Sequence, residues 1–288
     1  MKEIRIHGRG GQGNVAAAEL LGHAAFTDGK YSQSFPAFGA ERTGAPVVAF
    51  VRLSDKQIRV RSQVYAPDVV IVQDETLLGA VDVLQGIKPD GLVIINTTKT
   101  AEQLGLSTAA KVLTVPATEI ALEVVGRNIP NTTLLGAYAA ATGDISEHAL
   151  IEAIYERFGA KGRDINAQAV KRAMEHVQEH AAVKVNGART FKPAPSARPA
   201  WHADTVMEAG TSKYTKTGSW RTFRPIFKNE RCTGCQICAT LCPEGVVYPI
   251  DKKKQAVDYD YCKGCGICAE ECPFDDIEMV REGVEVTA

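Results

Sequence analysis

The sequence predicts an α/β protein in two parts: a domain built on an open, mostly parallel sheet covered by helices, followed by a small α+β cysteine-rich module. Three observations predict it. Short apolar runs alternate with helical patterns over residues 1–183, as expected where parallel strands are covered on both faces. All eight cysteines fall between Cys232 and Cys272. Between these regions, Phe191 to Trp201 carries Pro193, Pro195 and Pro199 among small residues, the composition of an extended linker. The expected division is therefore residues 1–183, a linker over 184–212, and a second domain over 213–288.

The 288 residues suffice for about two domains at roughly 150 each. With 45% apolar and 23% charged residues, a disordered or fibrous chain is excluded. The net charge of -1 offers no general attraction to nucleic acid or anionic membrane, and neither is expected as a partner. The longest uncharged stretch, Asn128 to Gly143, is shorter and more polar than the ~20 apolar residues of a spanning helix. Met1-Lys2-Glu3-Ile4-Arg5 lacks the apolar core of a secretory signal, so a cytoplasmic location is expected. Charge also separates the two parts: residues up to Phe227 carry 26 basic and 22 acidic side chains, the remainder 7 and 12.

Taken in order, Ile4 to His7 reads as the first strand. Val47 to Leu53 with Gln57 to Val60 predicts a hairpin, and Val69 to Gln73, Leu92 to Asn96 and Lys111 to Val115 predict further strands. Leu150, Ile151, Ile154 and Phe158 share one helical face. Ala167, Val170, Met174, Val177 and Ala181 share the next, so two amphipathic helices should pack on the sheet.

Gly8-Arg9-Gly10-Gly11-Gln12-Gly13 follows the first strand and opens a helix, formally matching G-x-G-x-x-G, whose amides can face a phosphate. The acid that would hold a ribose about twenty residues on has no good candidate, because Asp28 sits in the turn Thr27-Asp28-Gly29. A sharp strand-to-helix turn at an interface is favoured over bound NAD. Ser34 to Pro46 reads as a loop in which Glu41 and Arg42 could meet a ligand or partner. The six histidines are scattered, and His176 with His180 has no third zinc ligand nearby. In Tyr214 to Phe227, Trp220, Phe223 and Phe227 alternate with basic residues. Without a wider basic field, packing against a neighbouring domain or subunit is favoured over stacking on nucleic acid.

The second part contains an internal repeat. Cys232, Cys235, Cys238 and Cys242-Pro243 recur thirty residues later as Cys262, Cys265, Cys268 and Cys272-Pro273. Each copy is the C-x2-C-x2-C-x3-C-P run of two-cluster bacterial ferredoxins, in which the fourth cysteine ligates the other cluster. By that rule Cys232, Cys235, Cys238 and Cys272 hold one 4Fe-4S cluster, and Cys262, Cys265, Cys268 and Cys242 the other. Zinc has no need of a third cysteine at this spacing, and adjacent C-x2-C pairs make poor disulfides. Glu270, Glu271, Asp275, Asp276 and Glu278 either lower the cluster potentials or form an ordinary solvated face.

Together, the Gly8 to Gly13 loop, the Ser34 to Pro46 loop, Asn131-Thr132-Thr133-Leu134-Leu135-Gly136-Ala137 and Thr217-Gly218-Ser219-Trp220-Arg221-Thr222-Phe223-Arg224-Pro225 ahead of the cysteine runs resemble the gamma and delta subunits of 2-oxoacid:ferredoxin oxidoreductases, fused in one chain, most like pyruvate synthase. The resemblance implies a Rossmann-like gamma-type domain and a delta-type ferredoxin domain. It implies an electron-transfer subunit, with pyruvate and coenzyme A converted to acetyl-CoA and CO2 as external ferredoxin is reduced. Thiamine diphosphate and Mg2+ would sit in the alpha and beta catalytic subunits, where a third 4Fe-4S cluster is also left open. The chain lacks the glycine-aspartate-glycine signature for that diphosphate, so no catalytic residue is expected in it. Gly8, Gly10, Gly11, Gly13, Glu41 and Arg42 become candidates for the partner interface or a coenzyme A site. Some relatives with this fusion oxidise other acids such as oxalate, which leaves the substrate open. The rival readings are an NAD-linked iron-sulfur reductase and a stand-alone redox carrier.

Overall fold

Strand β1 (Lys2–Arg9) is flanked on both sides, and its neighbours explain most of the first unit. The computed structural model describes residues 1–37, 44–160, 162–191 and 215–282. It separates into two compact units, Met1–Lys192 and Pro193–Ala288.

In the first unit β1 leads to α1 (Asn14–Thr27), β2 (Tyr31–Pro36), β3 (Pro46–Ser54) and β4 (Val69–Val72). Then follow α2 (Leu77–Ala80), β5 (Leu92–Asn96), α3 (Ala101–Leu104), β6 (Ser107–Val115), α4 (Ala117–Val124), α5 (Asn131–Thr142), α6 (Glu147–Arg157), α7 (Arg163–Glu179) and β7 (Val183–Asn186). The strands form one sheet in the order β2-β3-β1-β4-β5-β6-β7. β1, β4, β5 and β6 run parallel, whereas β3 is antiparallel to both β1 and β2, and β7 is antiparallel to β6. The mostly parallel open sheet is thus observed.

Continuous apolar runs mark strands covered on both faces. In β4, Val69 and Ile71 join one core with Ile4, Ile6, Ile94 and Leu113, which α1, α5, α6 and α7 close with Leu21, Leu135, Ile154 and Val170. Val70 and Val72 join the opposite core with Val93, Ile95, Leu77 and Leu104. Each such side chain is worth about 1.5–3 kcal/mol on full burial. Helix α5 is buried nearly all round. Its Gly136 lets α7 approach closely, because a Cβ there would lie 2.5 Å from the Val170 carbonyl oxygen. Leu150 and Ile154 of α6, and Ala167 and Val170 of α7, are buried as their periodicity predicts.

Three expectations change. The hairpin of Val47 to Leu53 with Gln57 to Val60 does not form, since both edges of β3 are taken by β1 and β2. Residues 57–60 are instead irregular. Buried Arg52 reaches the Gln63 carbonyl at 3.2 Å while pairing with Glu3 at 2.8 Å. The loop expected from Ser34 begins as strand, because β2 runs to Pro36; Glu41 and Arg42 lie outside the described residues. The sheet also continues past residue 183, with β7 pairing to β6 and Arg189 bridging to Leu106, so the first residues of the expected linker belong to the first unit.

The second unit contains β8 (Phe223–Phe227), α8 (Ile237–Thr240), β9 (Val247–Asp251), β10 (Lys254–Val257), α9 (Ile267–Glu270) and β11 (Ile277–Arg281). β9 pairs with β10 and β8 with β11, giving two antiparallel ribbons around the two one-turn helices. Among the described residues no helix is long and apolar enough to cross a membrane.

Candidate functional site

Each cysteine run folds as a tight loop entering a one-turn helix, and two hollows result. Cys232, Cys235, Cys238 and Cys272 line the first; Cys262, Cys265, Cys268 and Cys242 line the second. The loops need glycine at matching places. Gly234 and Gly264 have φ of +77° and +66°, and a Cβ would lie 2.0 Å from the Lys252 oxygen in one case and 1.9 Å from the Phe223 oxygen in the other. None of the eight cysteines forms a disulfide.

The third cysteine of each run, Cys238 and Cys268, is buried, whereas the second, Cys235 and Cys265, is exposed. Burial pushes the Cys238, Cys262 and Cys268 thiols up, Cys268 to about 12. A cationic centre would offset the lost hydration of thiolates here. Among the described residues, no three His, Cys, Asp or Glu side chains gather as a single ion would need. The cysteines surround hollows instead, a donor set that fits clusters with sulfur-ligated corners.

Described from residue 215, the aromatic-basic segment belongs to this unit. Thr217 Oγ1 donates to the Tyr261 carbonyl, Gly218 N to the Asp260 carbonyl at 2.7 Å, and the Tyr259 hydroxyl to the Pro225 carbonyl at 2.6 Å. Within the unit, Trp220 lies under Lys263 and β8 pairs with β11. Arg221, 8% exposed, donates to the carbonyl of Cys262 at 3.1 Å and to that of Tyr259, and forks onto Glu282.

The acidic residues near the second run do not form one face. Asp276 is only 3% exposed, lines the first hollow, and accepts from the backbone N–H groups of Glu230 at 3.2 Å and Arg231 at 3.0 Å. Glu278 pairs with Lys228 at 2.8 Å. Sequence reading missed the role of Arg221 and the burial that sets Asp276 apart from its acidic neighbours. A signal existed: at the thirty-residue offset Asp276 corresponds to Val246, where the repeat breaks.

In the first unit the glycine loop does join β1 to α1, with Gly13 at φ +78° before the helix. A Cβ on Gly8 would lie 2.1 Å from Asn14 Oδ1, and one on Gly13 2.5 Å from Asn131 Nδ2, so these glycines make room for two buried asparagines. Arg9 and Asp74 form an ion pair of 3.1 Å with both side chains at most 3% exposed. Gln12 donates to the same carboxylate, and Arg9 Nη1 reaches the Gly44 carbonyl. Asp74 and Asn14 escaped sequence reading because their partners are distant in the chain. His7 is buried with both ring nitrogens unpartnered, and burial next to Arg5 pushes it down to about 3. His176 and His180 stack at 4.2 Å, and His176 Nε2 faces the Thr114 carbonyl.

Two family models match the chain: "Pyruvate ferredoxin/flavodoxin oxidoreductase" over residues 3–176 and "4Fe-4S dicluster domain" over residues 224–277. Pyruvate synthase subunit PorC of Methanosarcina barkeri is 61% identical over 154 residues, 54% of this chain and 85% of the relative. The common gamma subunit of the pyruvate/ketoisovalerate oxidoreductases of Thermococcus litoralis is 51% identical over 178 residues, 61% of this chain and 96% of the relative. The crystal structure of pyruvate oxidoreductase subunit PORC from Thermotoga maritima is 41% identical, covers 60% of this chain and 95% of its own, and superposes with a TM-score of 0.55.

Proposed function

Because the chain belongs to the pyruvate ferredoxin/flavodoxin oxidoreductase family, we propose that it is the fused gamma- and delta-type electron-transfer subunit of a thiamine diphosphate-dependent 2-oxoacid:ferredoxin oxidoreductase, with pyruvate as substrate. The observation that carries this reading is the joining, in one chain, of the family's domain to a unit whose two hollows each gather one four-cysteine set.

When bound, two 4Fe-4S clusters would supply one-electron transfer. The chain's own residues explain how they could be held. Cys238 and Cys268 keep one corner of each site away from water, and Cys235 and Cys265 bring another corner to the surface. Thiamine diphosphate, Mg2+ and the substrate pocket belong to alpha and beta partners, and external ferredoxin is the acceptor. Coenzyme A reacts in the partners, with the Gly8 to Gly13 loop near the interface. One relative is named as a gamma subunit common to pyruvate and ketoisovalerate oxidoreductases, which supports placing the choice of acid in the partner chains.

Anaerobic reconstitution with alpha and beta subunits tests the proposal. Counted on this chain before the partners are added, it should yield about eight iron and eight sulfide, and with them pyruvate- and coenzyme A-dependent reduction of added ferredoxin. Cys268→Ala should stop ferredoxin reduction while pyruvate decarboxylation by the partners continues. Undiminished ferredoxin reduction by that variant, or a chain that takes up no iron, would sink the reading.

A further inference from the structure

The two halves of the second unit are related by the thirty-residue repeat, and their backbones obey it. Lys228 N donates to the Asp276 carbonyl at 3.1 Å, and the repeat-equivalent Asp258 N donates to the Val246 carbonyl at 2.9 Å. The charges near the two hollows do not obey it. The loop holding Gly234 is backed by the turn at exposed Lys252 and Lys253, whereas the loop holding Gly264 is backed by Phe223 and buried Arg221. Beside the first hollow stands the buried carboxylate of Asp276, where the second has Val246.

The surrounding charges leave this contrast standing. Arg221 is paired to Glu282, whose side chain is 26% exposed and better screened, while the guanidinium sits on the Cys262 carbonyl and over the Tyr259 ring. Arg224 flanks the same ring from 5.8 Å. Lys263 and Glu244, both at the second hollow, cancel as a 2.6 Å pair. Asp276 accepts from backbone N–H groups, and nearby Arg231 reaches the Asp275 carbonyl while Lys228 pairs with Glu278. A reduced cluster carries one more negative charge than an oxidised one. A buried cation therefore raises a cluster's potential and a buried carboxylate lowers it, most strongly where water is excluded.

We propose that Arg221 and Asp276 are positioning residues that split the potentials of the two clusters, so that the one held by Cys242, Cys262, Cys265 and Cys268 is the better electron acceptor. This rests on the two-cluster reading above. It makes the unit a directional relay in which an electron settles on the Arg221 side.

The test is a redox titration of the anaerobically reconstituted full chain, followed by electron paramagnetic resonance, after iron and sulfide have been counted. The unaltered chain should show two midpoints. Arg221→Gln should lower the upper one and Asp276→Asn raise the lower one, each narrowing the gap by up to about tenfold in electron partition, ~59 mV for one electron. Arg221→Lys, which keeps the charge, should retain most of the gap. A fully loaded chain with a single shared midpoint overturns the proposal without any variant. So does a loaded Asp276→Asn chain with both midpoints unmoved, or an Arg221→Gln chain in which the lower midpoint moves. If Arg221→Gln loses iron, Asp276→Asn and Arg221→Lys decide. A chain with no iron defeats the two-cluster reading itself, and the iron count tells these failures apart.

Discussion

The two units of this chain are held together by different physics. The first buries two extensive apolar clusters, one on each face of a seven-stranded sheet. The second has a small buried cluster of Cys238, Val247, Val257, Cys262 and Cys268, most of it cysteine. A domain that small gains too little from apolar burial to offset the entropy of ordering its chain. The first unit should therefore be a fold that stands on packing, and the second a fold that stands on its iron.

The largest effect expected from this contrast is on iron removal. Chelation should erase hydrogen-exchange protection in β8 and β11 while β4 and β5 stay protected; persistent protection throughout would break the comparison. Next comes the buried ion pair of the first unit. Asp74→Ala leaves the Arg9 guanidinium buried without its carboxylate and should cost about 3–5 kcal/mol in thermal unfolding of that unit, with iron content untouched. Gly136→Ala places a methyl against the Val170 carbonyl and should cost about 1–3 kcal/mol, again in the first transition alone. Near neutral pH the smallest effect is that of His7, and it grows as the solution is acidified. His7 stays neutral in the folded unit down to about 3, whereas in the unfolded chain it titrates near ~6.5. Unfolding thus takes up a proton between these values, and stability falls as pH drops through this window. His7→Leu should flatten that slope and change little at pH 8; an unaltered slope in the variant would exclude His7 as its source.

How much was legible in the sequence follows the same division. The cysteine runs speak through their spacing, so the eight cysteines around both hollows could be named before any fold was known. The strands β4 and β5 were equally plain, because burial on both faces demands unbroken Val and Ile. Edge strands were not. β2 holds Ser32, Gln33, Ser34 and Pro36, and β7 alternates Val with Lys184 and Asn186; one solvated side removes the apolar signal. The burial of Arg221 and Asp276 was hidden for another reason. A charged residue next to turn formers reads as surface, and only tertiary contacts to Cys262, Glu230 and Arg231 reveal that it is buried.

Cys235 and Cys265, the exposed corners of separate hollows, carry a consequence for traffic. A protein with one such opening must release its donor before it can meet an acceptor, and its throughput is set by tumbling and re-encounter. On the proposed two-cluster reading, two openings would remove that step: a donor could remain seated at one while acceptors collide in turn with the other. Turnover would then be governed by the departure of the spent acceptor, and nothing in the unit would have to move.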